Sequence, residues 1–170
     1  MGSAEIVSAR GTTAIRLTRT LPDTPREVWE LLTSREQLAR WFPCDVVVEG
    51  GQWRVGATIR FEFPAANVDM TLAGVVVDVD EPHALAFTWG DETLRFNVDV
   101  DGTNSTLEVI DELNPAHAAR NAAGWEVCLD RLMGAEVEDN AWRGYFERYC
   151  EAFEPLVGPQ EGPPAGVTEP

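Results

Sequence analysis

Residues 118–133 of the chain read AARNAAGWEVCLDRLM, and this stretch is the most informative about the fold. Its apolar residues recur every three or four positions, as they do on one side of a helix: Ala118, Ala122, Trp125, Leu129, Leu132 and Met133. Glu126, Asp130 and Arg131 fall elsewhere on the helical wheel. A helix of about 16 residues is about 24 Å long, which allows it to cover a sheet of strands roughly 27 to 30 Å in length. The stretch therefore predicts a helix with one face buried against a sheet.

The sequence before this stretch predicts that sheet. Residues 12–20 alternate between apolar and polar and include several β-branched residues, which is typical of a half-buried strand. From residue 45 to residue 113, strand-like runs follow one another, and the turns between them leave no room for helices. This spacing favours antiparallel hairpins. The predicted strands of this part are 45–48, 53–63 (bent or delayed by Gly56), 70–80, 84–89, 93–100 and 105–112.

The side chains that face the interior follow from the period of two within three of these strands. The inward set is Ile59, Phe61 and Phe63, then Leu85, Phe87 and Trp89, then Leu94, Phe96, Val98 and Val100. The alternate positions carry mostly charged or polar side chains that suit water. We therefore expect a sheet with one buried face and one solvated face.

Two short helices are predicted after the first strand. Thr24 and Glu27 form a capping-box pattern, and Pro25 occupies the first helical position, where it is well tolerated. Ser34 and Gln37 repeat the capping pattern for a second helix, which ends before a proline. Beyond residue 133, a stripe of aromatic residues predicts a final helix on the outside of the same body: Trp142, Tyr145, Phe146, Tyr149 and Phe153.

These patterns predict a single domain with short flanking segments. We expect a flexible N-terminus over residues 1–11 and one domain over 12–155. Residues 156–170 are rich in proline and glycine and have no apolar period, which predicts a disordered tail.

The charge balance excludes several classes of function. The chain carries 29 acidic residues against 13 basic ones, a formal net charge of −16, and contains no lysine. Such a protein repels nucleic acid and anionic lipid, so we expect neither as a partner. The three cysteines lie far apart and no metal-ligand spacing is present, so no metal or other cofactor is expected. No apolar run is long enough to span a membrane and no signal sequence is visible, so we expect a cytoplasmic protein.

Seven short stretches resemble one protein family. They are PREVWELLT (25–33), LARWFP (38–43), VGA (55–57), GVV (74–76), LAFTWG (85–90), AGW (123–125) and LDRL (129–132). Together with the order of predicted elements, they resemble the AHSA-type branch of the SRPBCC, START and Bet v 1-like superfamily, which is named after a heat-shock ATPase activator. The resemblance covers roughly residues 12 to 155. It implies an α+β helix-grip fold, in which a curved antiparallel sheet of about seven strands wraps around a long C-terminal helix.

The resemblance also implies several functions. Its members bind lipids, hormones or polyketides, cyclise or hydrolyse polyketide-type substrates, or act as co-chaperones. We therefore expect binding of a small apolar ligand, of lipid, polyketide or aromatic type, in a cavity between the sheet and the C-terminal helix. A cyclase-like or hydrolase-like enzyme and a co-chaperone-like interaction module are the alternatives. Formation of a homodimer and binding to a chaperone both remain open.

Aromatic residues are the first candidates for the ligand site. If the sheet curls around the helix, several rings converge on the interior, where flat rigid rings suit a planar apolar ligand. The set is Trp41, Trp53, Phe61, Phe63, Trp89, Phe96 and Trp125, with Leu129 beside it and the ligand entering beneath Trp41 and Phe42. Ordinary core packing is the alternative for each ring.

Asp111 is the polar candidate. With Leu107 and Val109 facing inward, the same period places Asp111 on the inward face near the cavity mouth. A carboxylate on an apolar wall would have a raised pKa and could serve as a general base or as an anchor for a ligand hydroxyl or amine. The alternative is that the strand end frays and Asp111 is solvated. His83, His117 and the turn residue Glu92 are predicted to face solvent.

Overall fold

A computed structural model describes residues 3–63 and 71–163 of the chain. Its strands are β1 (Glu5–Ala9), β2 (Thr12–Leu21), β3 (Asp45–Val48), β4 (Thr58–Glu62), β5 (Thr71–Asp80), β6 (Ala84–Trp89), β7 (Glu92–Asp101) and β8 (Asn104–Glu112). The helices are α1 (Pro25–Thr33), α2 (Arg35–Trp41), α3 (Ala118–Leu132) and α4 (Ala141–Val157). Short 3₁₀ turns occupy Glu49–Gly51 and Pro115–His117. The chain is thus an α+β protein, as predicted.

All strands join one antiparallel sheet in the order β1-β2-β8-β7-β6-β5-β4-β3. Strands β3 to β8 follow one another as hairpins, whereas β2 and β8 are distant in sequence and pair directly. The register shifts between Val76 and Asp78, an irregularity that bends the sheet. The sheet with its covering helix confirms the helix-grip architecture.

The two short helices begin and end at the predicted caps. The Thr24 hydroxyl accepts a hydrogen bond from the Glu27 amide, and the Glu27 carboxylate accepts one from the Thr24 amide at 2.8 Å. Ser34 ends α1 by donating its amide to the Glu30 carbonyl, and its hydroxyl caps α2 by accepting from the Gln37 amide. One residue therefore closes the first helix and opens the second, which makes the turn between them tight.

Helix α3 lies between the sheet and α4. Four alanines on it are fully enclosed and allow close packing: Ala118, Ala119, Ala122 and Ala123. Trp125 and Leu129 are buried in the same core. Met133, predicted on the buried stripe, is instead 47% exposed because the helix ends at Leu132. Helix α4 presents two stacked ring pairs, Trp142 with Phe146 and Tyr149 with Phe153.

The predicted ends of two strands are corrected. Strand β4 begins at Thr58 and not at residue 53, because Gly56 adopts a φ of 90° and the preceding residues form a turn. Val100 continues the inward period of β7 but is 63% exposed, since it lies near the end of the strand, one residue pair before the β7–β8 turn. Residue 70, predicted to start a strand, lies outside the described residues.

The flanking segments are more ordered than predicted. Residues Glu5–Ala9 fall in the segment predicted to be flexible, yet they form β1, which pairs with β2 and makes an eighth strand. The predicted tail also begins too early, because α4 continues to Val157. Gln160 then accepts a hydrogen bond from the Ala119 amide at 2.8 Å. Residues 1–2 and 164–170, predicted to be flexible, lie outside the described part.

Candidate functional site

Nine rings form a continuous network between the sheet and α3, which we call the aromatic cluster. Neighbouring ring centroids lie 4.5 to 6.5 Å apart. The members are Trp41, Phe42, Trp53, Phe61, Phe63, Phe87, Trp89, Phe96 and Trp125. Phe42 lies at the centre of the network, since its ring contacts five of the others. The prediction had placed Phe42 only at the entrance.

The deep part of the aromatic cluster is packed core. Trp41, Phe61 and Phe96 are each at most 2% exposed, and Trp125 is 8% exposed. Leu129, one turn after Trp125, is fully buried in the same core. Because these rings contact one another directly, ordinary core packing accounts for their positions.

Two tryptophans of the aromatic cluster hold α1 in place. The Trp41 indole donates to the Leu31 carbonyl at 2.9 Å, and the Trp53 indole donates to the Thr33 carbonyl at 2.8 Å. Both acceptors are carbonyls of the last turn of α1, which have no partner within the helix. Trp41 and Trp53 thus have a structural role besides any contact with a ligand.

The aromatic cluster reaches the surface at Phe63 and Trp89. Both are half-buried, and their rings meet edge to face with centroids 5.8 Å apart. The Trp89 ring also lies 4.5 Å from Phe61, which connects the exposed part to the core. Apolar surface available to a ligand therefore lies at this end of the sheet, where β6 turns into β7.

Asp111 lies on the inward face of β8, as the period of two predicts. It pairs with Leu94 on one side and with Ile15 on the other, and it is only 1% exposed. The alternative of a frayed, solvated strand end is therefore wrong for this residue. Its Oδ2 accepts hydrogen bonds from Asn121 Nδ2 at 3.0 Å and from Trp125 Nε1 at 3.1 Å. Its Oδ1 is buried and receives no hydrogen bond from any described residue.

Glu92 completes the polar site. Asn121 Nδ2 lies 2.9 Å from both carboxylate oxygens of Glu92 and 3.0 Å from Asp111, so one amide nitrogen joins the two acids. Glu92 is half-buried, not solvated as the sequence analysis predicts, because it is the first inward position of β7. It is also the cross-strand partner of Trp89. We call Glu92 and Asp111 the acid pair.

The acid pair is an unfavourable place for two negative charges. Burial raises the pKa of Asp111 well above its usual value, and the nearby charge of Glu92 raises it further. Burial also raises the pKa of Glu92. The hydrogen bonds from Asn121 and Trp125 act in the opposite direction and favour the ionised forms. The pair therefore retains a proton more readily than a surface carboxylate does, and Asp111 is the member that holds it.

A second buried polar cluster lies on the other side of α3. Glu126 is 4% exposed and accepts hydrogen bonds from Arg19 and from the Tyr149 hydroxyl. The Tyr149 oxygen in turn accepts from the Ala4 amide at 2.8 Å. These contacts join β2, α3, α4 and the N-terminal segment. We call Arg19, Glu126 and Tyr149 the ion cluster.

The structure separates the predicted site residues into two groups. Trp125 contacts both the aromatic cluster and Asp111, so it links the rings to the acid pair. Trp89 and Phe63 lie at the same end of the sheet as Glu92. The other predicted residues lie deeper or anchor α1: Trp41, Trp53, Phe61, Phe96 and Leu129.

Sequence reasoning missed Glu92 and Asn121. A signal for Glu92 was present, because extending the inward period of β7 backward from Leu94 reaches it. Asn121 lies four residues before Trp125, which places both on the same side of α3. The third missed feature, the ion cluster, joins parts of the chain that no local pattern connects.

The site offers acid–base groups and hydrogen-bond acceptors. Two adjacent carboxyl groups, one enclosed and one half-buried, can accept hydrogen bonds from a ligand or exchange a proton with it.

Over residues 3–63 and 71–163, no group of three or more His, Cys, Asp or Glu side chains is arranged to hold a metal ion. None of the described helices is both long and apolar enough to cross a membrane.

Comparison with known proteins gives a family match. The sequence profile of a family described as "Activator of Hsp90 ATPase homolog 1-like protein" matches residues 23–135, which include α1 to α3 and β3 to β8. None of the curated proteins matches the sequence.

Solved structures show the same fold. EF2215 from Enterococcus faecalis, a conserved protein of unknown function, has a TM-score of 0.74 and 22% identity over 90% of this chain and 91% of its own. CalU16 from Micromonospora echinospora has a TM-score of 0.71 and 18% identity over 92% and 99%. DynU16, described as a putative protein in the dynemicin biosynthetic locus, has a TM-score of 0.61 and 23% identity over 71% and 46%.

Proposed function

Because the chain belongs to the Activator of Hsp90 ATPase homolog 1-like family, we propose that it binds a small apolar ligand of lipid, polyketide or aromatic type. The ligand lies between the sheet and α3, at the end where β6 turns into β7. Its apolar part packs on Phe63 and Trp89, and one polar group contacts the acid pair. The binding domain extends from β1 to the end of α4.

One observation carries this proposal: the Asp111 carboxyl is enclosed, and its Oδ1 accepts no hydrogen bond from the described residues. When Asp111 is ionised, an enclosed acceptor without a partner destabilises the fold by roughly 1–3 kcal/mol. Side chains of this kind are found at functional sites, where a ligand supplies the missing contact. Two donors on α3, Asn121 and Trp125, hold the carboxyl in place, so its free oxygen has a defined direction.

The setting of Asp111 supports an apolar ligand. Leu94 and Ile15 flank it on the sheet, and Trp125 joins it to the aromatic cluster. A few polar groups within an apolar surface are the usual composition of a small-molecule site. The location of DynU16 in a biosynthetic locus agrees with a role in small-molecule chemistry for at least one protein of this fold.

Native mass spectrometry of protein purified from its own host, followed by fluorescence titration, tests the proposal. We expect a bound organic molecule, or quenching of tryptophan emission by fatty acids, polyketides or planar aromatic compounds. The Trp89→Phe variant should lose most of the response, whereas the control Trp142→Phe, which alters a ring stacked on Phe146, should keep it. If no molecule co-purifies and none of these compounds changes the emission, the proposal is wrong.

The acid pair also favours a second candidate function, an enzyme that uses acid–base catalysis. In the sequence analysis Asp111 is the base, but its raised pKa makes it the proton-holding acid. Glu92, closer to solvent, is then the better base. A cyclase-like or hydrolase-like enzyme of this kind must lose turnover in Glu92→Gln while still binding its substrate. Equal turnover in the wild type and in this variant would exclude it.

The third alternative, an interaction module for a chaperone, receives less support from the described surface. Large exposed apolar side chains are spread over several elements: Val55, Val75, Val77, Val100, Met133 and Leu156. Of these, Val75 and Val77 share strand β5. A docking site usually requires a larger continuous patch. A direct binding measurement with a purified Hsp90-type chaperone tests this alternative.

A further inference from the structure

The charge of the acid pair indicates which polar group its ligand carries. Glu92 and Asp111 are within 3.0 Å of the same Asn121 nitrogen, and the donors seen on them among the described residues are the neutral side chains of Asn121 and Trp125. Arg95 and His117, which are near the acid pair in sequence, form ion pairs with Glu112 and Glu161 instead. Two neighbouring carboxylates repel each other when no positive charge lies beside them, so a bound cation would stabilise the pair.

Cationic side chains do lie nearby, but they are directed elsewhere. His117 and Arg120, on the approach to α3 and in its first turn, are close enough to lower the pKa of Glu92. His117 pairs with Glu161 at 3.2 Å, and Arg120 donates to the Gly162 carbonyl at 3.0 Å. On β7 the guanidinium of Arg95 pairs with Glu112. The protein's own cations near the acid pair are therefore engaged with the C-terminal segment and with the opposite face of the sheet.

The unpartnered oxygen shows where a cation would bind. Asp111 Oδ1 has no donor among the described residues, while Oδ2 already accepts two hydrogen bonds. An ammonium group carries three N–H donors, which can serve Asp111 Oδ1 and Glu92 together. The exposed faces of Trp89 and Phe63 lie at the same end of the sheet, and aromatic faces attract cations as well as apolar groups.

We propose that the ligand of this site is an apolar molecule with a basic amine, whose ammonium group binds between Asp111 and Glu92. This inference rests on the proposed function and specifies its ligand. Because burial and the neighbouring acid raise the pKa of Asp111, we expect the pair to bind a proton in the free protein. When the ammonium group binds, both carboxyl groups ionise and the displaced proton passes to solvent. Binding is therefore coupled to the release of about one proton.

Glu92 is the more accessible member of the acid pair. It is half-buried and follows directly after the turn at Gly90 and Asp91, whereas Asp111 is enclosed. The ammonium group therefore meets Glu92 first.

Isothermal titration calorimetry with two matched probes tests the inference. The probes are naphthylmethylamine and naphthylmethanol, which have the same ring system and differ in the amine. At neutral pH the amine should bind at least about tenfold more tightly, corresponding to about 1.4 kcal/mol. Repeating the titration in buffers of different ionisation enthalpy should show release of about one proton for the amine and none for the alcohol.

Variants separate the acid pair from its surroundings. Asp111→Asn keeps the shape of the side chain and should remove both the preference for the amine and the proton release. Glu112→Gln, the next residue on the opposite face of β8, is the matched control and should change neither. Equal binding of both probes without proton release would overturn this inference and leave the proposed function intact. Failure of both probes, together with failure of the lipid and polyketide titrations, would overturn the proposed function itself.

Discussion

The acid pair and the ion cluster are both buried beside α3, but their chemistry differs. In the ion cluster the opposite charges of Arg19 and Glu126 meet, and both oxygens of Glu126 accept hydrogen bonds. In the acid pair two carboxyl groups meet, and Asp111 Oδ1 accepts none from the described residues. Charges are tolerated inside a protein when they are paired and hydrogen-bonded. The ion cluster pairs a negative charge with a positive one inside the protein, whereas the acid pair brings two acids together, which is why we propose a ligand for the acid pair and a structural role for the ion cluster.

The largest effect is expected from removing the charge of the ion cluster. Glu126→Gln takes away the carboxylate that offsets the buried guanidinium of Arg19, and should reduce the free energy of unfolding by about 3–5 kcal/mol. Urea denaturation at neutral pH measures this loss. The exposed Glu136, in the segment between α3 and α4, provides the control substitution Glu136→Gln, which should change stability by less than about 0.5 kcal/mol. A loss below about 1 kcal/mol for Glu126→Gln would contradict the distinction between the clusters.

Removing a carboxylate from the acid pair should have the opposite effect and stabilise the protein. Asp111→Asn replaces the acidic Oδ1 by an amide group that can donate to Glu92 at any pH, and should increase the free energy of unfolding by up to roughly 1–3 kcal/mol where Asp111 of the wild type is ionised. The difference in free energy of unfolding between the variant and the wild type should increase with pH. Because the folded protein holds the Asp111 proton above the unfolded pKa of about 3.9, wild-type stability falls as pH rises through the interval up to the raised pKa.

Urea denaturation of the wild type and Asp111→Asn at several pH values checks this prediction. The difference between the two proteins is the relevant quantity, since the general repulsion within a chain of net charge −16 affects both equally. A variant that is less stable than the wild type at neutral pH, or a difference that shrinks with rising pH, would show that the Asp111 carboxylate is satisfied in the fold.

The smallest effect is expected at the rim of the ion cluster. The Arg148 guanidinium lies 4.0 Å from Glu126, and its side chain is 57% exposed. It also lies over the rings of Tyr145 and Tyr149 at 5.0 and 5.3 Å. Because solvent screens this contact, Arg148→Gln should lower stability by less than about 1 kcal/mol. A loss as large as that of Glu126→Gln would mean that the ion cluster needs both arginines.

Much of the fold could be predicted from local patterns. The capping box at Thr24 and the apolar stripe of α3 depend on residues close in sequence, and each is present as predicted except at Met133, which lies beyond the end of the helix. The inward period correctly placed Asp111 on the buried face. Strand β1 was not predicted, because its pairing with β2 and the contact of Ala4 with Tyr149 are invisible in a short, polar terminal segment. The same limit applies to Gln160, which binds α3 from about forty residues away.

Except for β1, the types of element and their order could be predicted from local patterns, because they follow from side-chain period and capping over a few residues. The meeting of polar side chains from distant parts of the chain follows from tertiary packing. Packing connects Glu92 to Asp111 through Asn121 and pairs Arg19 with Glu126. The bonded residues are 10 to 107 positions apart in the sequence. Whether a buried carboxylate finds a cation or another acid depends on how strands and helices pack. In this protein, packing brings Glu126 to an arginine and Asp111 to a second acid.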